Sequence, residues 1–104
     1  MLSKPILRTD RLRQVPAGFS WVDHRLARQG HFPRAEAKAW GLYLVLVTVG
    51  DEYGRSYYGD ERLGRMLSLS AAELAAARHQ LEAAGMIAFE KPFYQVLSLE
   101  ETHD

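Results

Sequence analysis

Three groups of side chains in this sequence are of the types that do chemistry: the histidines His24 and His31, the acidic pairs Asp51-Glu52 and Asp60-Glu61, and a scatter of arginines. Histidines seven residues apart share a face of a continuous helix and can then ligate a metal. Gly30 and Pro33 interrupt that continuity and no third ligand follows, so both imidazoles read as surface groups. Asp51-Glu52, followed by Gly54, lacks the alternating oxygens and closing Glu of a calcium loop and reads as a solvated turn. Asp60-Glu61 supplies two adjacent carboxylates, but neighbouring helix residues point apart, which defeats paired acid–base work. Their better use is to charge the first turn of a helix, where carboxylates favour the positive end of the dipole. No nucleophile elbow, phosphate-cradling glycine loop or metal signature occurs. The expectation is a non-enzymatic protein without cofactor or metal.

The arginines remain, and their chemistry is electrostatic. Up to Trp40 eight basic residues face three acidic ones, a net of +5; from Gly41 onward five basic residues face ten acidic ones, a net of −5. A basic front and an acidic back steer an anionic partner to one side, or draw two copies together head to tail. The absence of cysteine excludes disulfides and thiolate zinc sites and fits a reducing cytoplasm. The start of the chain lacks the apolar run of a signal peptide, and Leu42 to Val47 is too short for a membrane span. A cytoplasmic location is expected.

The elements that must position these groups centre on Gly59 to Ile87. Leu63, Met66 and Leu67 fall at i, i+3, i+4 and define one helix. Ser70 and Glu73 form a capping box that starts a second, whose inward stripe is Leu74, Ala77, Leu81 and Ala84. Gly85 stands where a left-handed cap ends it. Only Ser68 and Leu69 separate the two, which predicts a helix-turn-helix.

Residues 1–18 read as an N-terminal arm, 19–99 as one domain, and 100–104 as an acidic tail. Within the domain a short helix is expected from Trp21 to Gln29. A continuous helix is expected from Pro33 to Val49, apolar on every side and therefore surrounded by other elements. Arg55 to Tyr58 suits a small strand. Met86 to Glu90 and Phe93 to Leu99 flank Lys91-Pro92 as a hairpin, which the small strand extends to three strands. The fold class is mainly α with a small antiparallel sheet, and the order of elements is that of a winged helix-turn-helix.

From Ala35 to Leu99 the sequence resembles the winged helix-turn-helix domains of bacterial replication initiators and related regulators. The residues that carry the likeness are Val49-Gly50-Asp51, Gly54-Arg55-Ser56, Glu61-Arg62-Leu63 with Met66-Leu67, then Ser70, Leu74, Leu81 and Ala84-Gly85-Met86-Ile87. Over its whole length, including Trp21-Val22-Asp23-His24-Arg25 and Phe93-Tyr94-Gln95-Val96-Leu97, it also resembles small uncharacterised proteins encoded near bacterial mobile elements. The first likeness implies DNA binding, as in transcription or replication regulation; the second implies no activity.

In the winged-helix family the exposed start of the second helix carries Arg, Lys, Gln, Thr or Asn. Here the matching positions are Ala71, Ala72, Glu73, Ala75 and Ala76, with His79 a turn later. Alanine methyls can touch thymine methyls but supply no hydrogen bond, and bidentate pairs carry most base discrimination. The expected contact set for duplex DNA is Arg8, Arg11, Arg13, Arg62, Arg65, Ser70, Ala71, Ala72, Ala75, Ala76, His79 and Lys91. The alternative use of the same fold is protein–protein contact, a homodimer through the alanine face or through opposite charges. The aromatics Trp21, Trp40, Tyr43, Tyr53, Tyr57, Tyr58, Phe89, Phe93 and Tyr94 are not interleaved with basic residues, so core and sheet packing is expected of them.

Overall fold

The computed structural model describes residues 3–99. They form helices α1 (Arg25–Arg28), α2 (Ala37–Val49), α3 (Asp60–Leu67) and α4 (Ala71–Ala83), and strands β1 (Arg55–Tyr57), β2 (Ile87–Glu90) and β3 (Phe93–Val96). The sheet is antiparallel in the order β1-β3-β2, with Tyr57 opposite Phe93 and Glu90 opposite Phe93 on its other side. Mainly α with a small antiparallel sheet is therefore the observed class. None of the described helices is long and apolar enough to cross a membrane. The expected tail, 100–104, lies outside the described residues.

The helix pair forms as its residues dictate. Asp60 and Glu61 stand in the first turn of α3. Ser68 takes a left-handed conformation (φ 56°) directly after it, and this one residue turns the chain from α3 toward α4. The Ser70 hydroxyl accepts the Glu73 N–H at 3.1 Å while a Glu73 carboxylate oxygen accepts the Ser70 N–H at 2.9 Å. Leu74, Ala77, Leu81 and Ala84 are all buried. Gly85 then has φ +74°, as a left-handed helix cap requires.

α2 supplies Ala39, Leu42, Tyr43 and Leu46 to the core, where they meet Leu63 of α3, Leu74 and Leu81 of α4, and Met86, Ile87 and Tyr94 of the sheet. Gly54 allows the loop before β1 to close on β3: the Val96 N–H donates to the Gly54 carbonyl at 2.8 Å, and a Cβ there would meet Val96 O at 2.7 Å.

Several expectations are corrected. The helix expected from Trp21 to Gln29 is a single turn from Arg25, because the Asp23 carboxylate accepts the Arg25 N–H at 2.8 Å in a local turn that leaves Trp21 and Val22 extended and exposed. The helix expected from Pro33 is broken. Phe32–Arg34 form a 3-10 turn, Ala35 is extended, and α2 starts two residues later. The physical reason is tertiary: Gln80 of α4 accepts the Glu36 N–H at 2.7 Å, and the Trp40 indole donates to the Phe32 carbonyl at 2.8 Å.

Nor is α2 enclosed on every side. Leu44 is 60% exposed, since the neighbouring helices and sheet cover only the opposite faces. Met66, expected on the inward stripe of α3, is about half exposed, and Leu67 takes its place against Gly41. His31 is not a surface group; it is buried, with Arg34 Nη1 3.2 Å from its Nδ1.

Leu46→Ala and Leu74→Ala are each expected to reduce stability by about 2–5 kcal/mol, whereas Leu44→Ala stays within about 0.5 kcal/mol. Chemical denaturation of the three variants checks this, and an equal loss at Leu44 would contradict the packing.

Candidate nucleic-acid interface

The start of α4 is the best-defined polar cluster in the molecule. Glu73 closes the capping box with Ser70 and also accepts from Lys38 Nζ, which reaches across from α2. The Lys38 ammonium above all, and then the Ser70 backbone N–H, hold the Glu73 carboxyl down to about 2. The same contact raises the Lys38 ammonium above its ordinary value. Glu73 is thus committed to structure and presents no free carboxylate to a polyanion.

Outward from this cluster α4 shows mostly alanine, with exposed Glu82 near its C-terminal end. Ala71, Ala72, Ala75, Ala76 and His79 are all exposed. The single arginine of α4 faces inward. Arg78 donates to the Tyr94 hydroxyl at 3.0 Å and to the Asp60 carboxylate at 2.6 Å, and its guanidinium lies 4.4 Å from the centroid of the Phe89 ring. Burial pushes the Tyr94 hydroxyl pKa up. The outer face of α4 therefore fits closely against a surface, but His79 is its one ring donor.

The exposed cations nearest in the fold order stand on other elements. Arg62 and Arg65 are exposed on α3. Arg62 lies over the Tyr58 ring at 4.6 Å, and Arg65 is 3.6 Å from Glu61 at i,i+4 spacing, too exposed a pair to hold it. Lys91 is exposed in the two-residue turn between β2 and β3, where its peptide bond to Pro92 is cis. Ser70 is exposed but its hydroxyl serves the cap.

Neither a protein-family model, nor a curated protein, nor a solved structure matches the chain.

The arm is placed apart from this face. Residues 3–22 are exposed, and the Ser20 hydroxyl ties the end of the arm to the domain by donating to the Thr48 carbonyl at 3.4 Å. Thr48 lies ten residues beyond Lys38 on α2, about 15 Å along the helix axis. The arm and the start of α4 thus leave opposite ends of α2. Arg8 is paired with Asp10 at 2.7 Å, while Arg11 and Arg13 have no ion-pair partner among the described residues. The structure brings Arg62, Arg65, Ser70, the alanines and His79 onto one helix pair and does not bring Arg8, Arg11 and Arg13 to it.

Sequence reasoning missed three residues that shape the site. Lys38 and Gln80 carry no local signal, because their partners are 35 and 44 residues away. Arg78 carries one: it interrupts the apolar stripe between Ala77 and Leu81, and a charge in a stripe calls for a buried partner. Among the described residues no group of three His, Cys, Asp or Glu stands ready to hold a metal.

Because the folded Glu73 carboxyl is held below its ordinary value of 4.5, its contribution to stability is present above that value and is lost as pH falls toward about 2. Glu73→Gln should melt below the native protein at pH 7, and the gap should narrow at pH 2.5. Thermal melts at both pH values check the sign; a gap that widens on acidification contradicts it.

Proposed function

We propose that residues 37–96 act as a non-enzymatic winged helix-turn-helix that binds duplex DNA, with α4 laid against a groove and cations on either side meeting phosphates. The observation that carries this reading is the pairing of a flat, small-residue outer face on α4 with Arg62 and Arg65 on α3 and Lys91 at the hairpin tip. A helix without long side chains approaches the groove floor closely, and phosphate contacts fix its position without reading sequence. The affinity is electrostatic and falls steeply as salt rises. Arg11 and Arg13 add to it where the arm reaches the backbone of the duplex. In this reading the module serves transcription or replication control, as the family resemblance implies.

A specific observation favours a second use. Arg78 is turned inward and Glu73 is consumed by its cap, so the exposed side of α4 carries no cation and one carboxylate unpaired among the described residues, Glu82 near its C-terminal end. Small side chains let two helix backbones approach, and the same face suits a protein partner.

Duplex DNA titrated at 50 and 200 mM salt tests the first use. Binding is expected at low salt with a loss of one or more orders of magnitude at the higher. Arg62→Glu with Arg65→Glu should abolish it, and Ala76→Arg should strengthen it by adding a donor to the face. Absence of binding at low salt, with Ala76→Arg instead breaking a self-association, would favour the second use.

A further inference from the structure

The sheet has an outer face that is exposed among the described residues. Alternation along the strands puts Arg55 and Tyr57 of β1, Phe93 and Gln95 of β3, and Ala88 and Glu90 of β2 on one side, all exposed. Tyr57 is 69% and Phe93 61% exposed, and their rings lie 5.9 Å apart, centroid to centroid. This corrects the expectation that these aromatics pack inward, an expectation met by Trp40, Tyr43, Tyr58, Phe89 and Tyr94. The face opens into a cavity of about 680 Å³ whose charged lining is Asp51, Arg55, Glu82 and Glu90. Asp51 neutralises Arg55 at 2.9 Å, which leaves Glu82 and Glu90 without ion-pair partners among the described residues. The surface is aromatic and acidic, so it repels nucleic acid and suits a basic, apolar segment.

The chain carries such a segment. In residues 3–18 the apolar Ile6, Leu7, Leu12 and Val15 are all exposed, Leu7 to 88% and Val15 to 79%. Lys4, Arg11 and Arg13 are interspersed with them and have no ion-pair partner among the described residues. This is a poor arrangement for an isolated chain, because exposed contiguous apolar surface marks an interaction site. The three strands span about 10 Å, and the ten residues from Lys4 to Arg13 reach about 30 Å when extended, enough to cross the whole face.

We infer that two copies of this chain exchange N-terminal arms, the basic apolar arm of each lying across the aromatic, acidic outer sheet face of the other. Ile6, Leu7, Leu12 and Val15 cover Tyr57 and Phe93, while Lys4, Arg11 and Arg13 meet Glu82 and Glu90. The arm is rooted beside Thr48 and none of its described residues lines the cavity, so the described chain leaves its own face open although the arm is long enough to reach it. A two-fold pair fills both faces and closes, leaving neither an unmatched arm nor an unmatched face. The +5 front and −5 back of the sequence are the same complementarity on the scale of the whole chain. The inference shares Arg11 and Arg13 with the DNA reading but uses neither Arg62, Arg65 nor the alanine face, and it is tested without DNA, so its failure and the failure of that reading are distinguishable.

The test is a charge swap in the full chain, followed by sedimentation at low and high salt, with thermal melts to confirm folding. The native protein should sediment as a dimer at low salt and dissociate as salt rises. Arg11→Glu with Arg13→Glu, and separately Glu82→Lys with Glu90→Lys, should each give monomers at concentrations where the native protein is dimeric. An equimolar mixture of the two variants should recover the dimer, since every arm then meets a face of opposite charge. A native protein that stays monomeric at low salt overturns the inference. So do variants that dimerise as the native chain does, or a mixture that fails to recover.

Discussion

Arg78 is the point at which the helix pair and the sheet are locked to one another. Its guanidinium joins the Asp60 carboxylate at the start of α3 to the Tyr94 hydroxyl on β3, and lies over Phe89 of β2. The side chain is only 12% exposed. A cation so placed is stable only while both its oxygen partners stay in reach, because an unpaired buried charge carries a large desolvation penalty. This fixes the roll of α4 about its axis. Ala77 and Leu81 then face the core, and Ala71, Ala72, Ala75, Ala76 and His79 face out. The composition of the outer face of α4, which decides what that helix can recognise, follows from where its one arginine is held.

The same helix shapes the centre of the molecule. α2 is apolar nearly throughout, yet it is not a buried rod: it lies against α3, α4 and β3 and leaves Leu44 outside. Its beginning is set from α4, since Gln80 takes the Glu36 N–H and Glu73 takes Lys38. A helix start leaves backbone donors without intrahelical partners, and here the neighbouring helix supplies one acceptor. The exposed end of α4 and the start of α2 are thereby a single unit. The arm, at the other end of α2, is separate from it.

Ion pairing among the described residues is mostly local. Of the six ion pairs among the described residues, four join residues two or four apart, and only Lys38–Glu73 and Arg78–Asp60 are long-range. The local pairs are exposed or partly so and contribute little to stability, and because each joins two residues of the same half they leave the +5 and −5 of the linear sequence unchanged. Among the described charges outside these pairs are Arg62 on α3, Lys91 at the hairpin tip, Lys4, Arg11 and Arg13 on the arm, and Glu82 and Glu90 beside the sheet.

Local physics in the sequence determined most of the elements. The capping box at Ser70 and Glu73, the stripe Leu74, Ala77, Leu81, Ala84, the left-handed Gly85 and the hairpin around Lys91-Pro92 each arise from residues within a few positions of one another, so their patterns could be read directly. Tertiary structure alone decided where α2 begins, that Leu44, Tyr57 and Phe93 stay exposed, that His31 is buried, and that Arg78 turns inward. Each of these depends on a partner, or on the lack of one, brought from far along the chain. Propensity and periodicity describe what a segment prefers by itself, whereas burial and ion pairing belong to two segments at once.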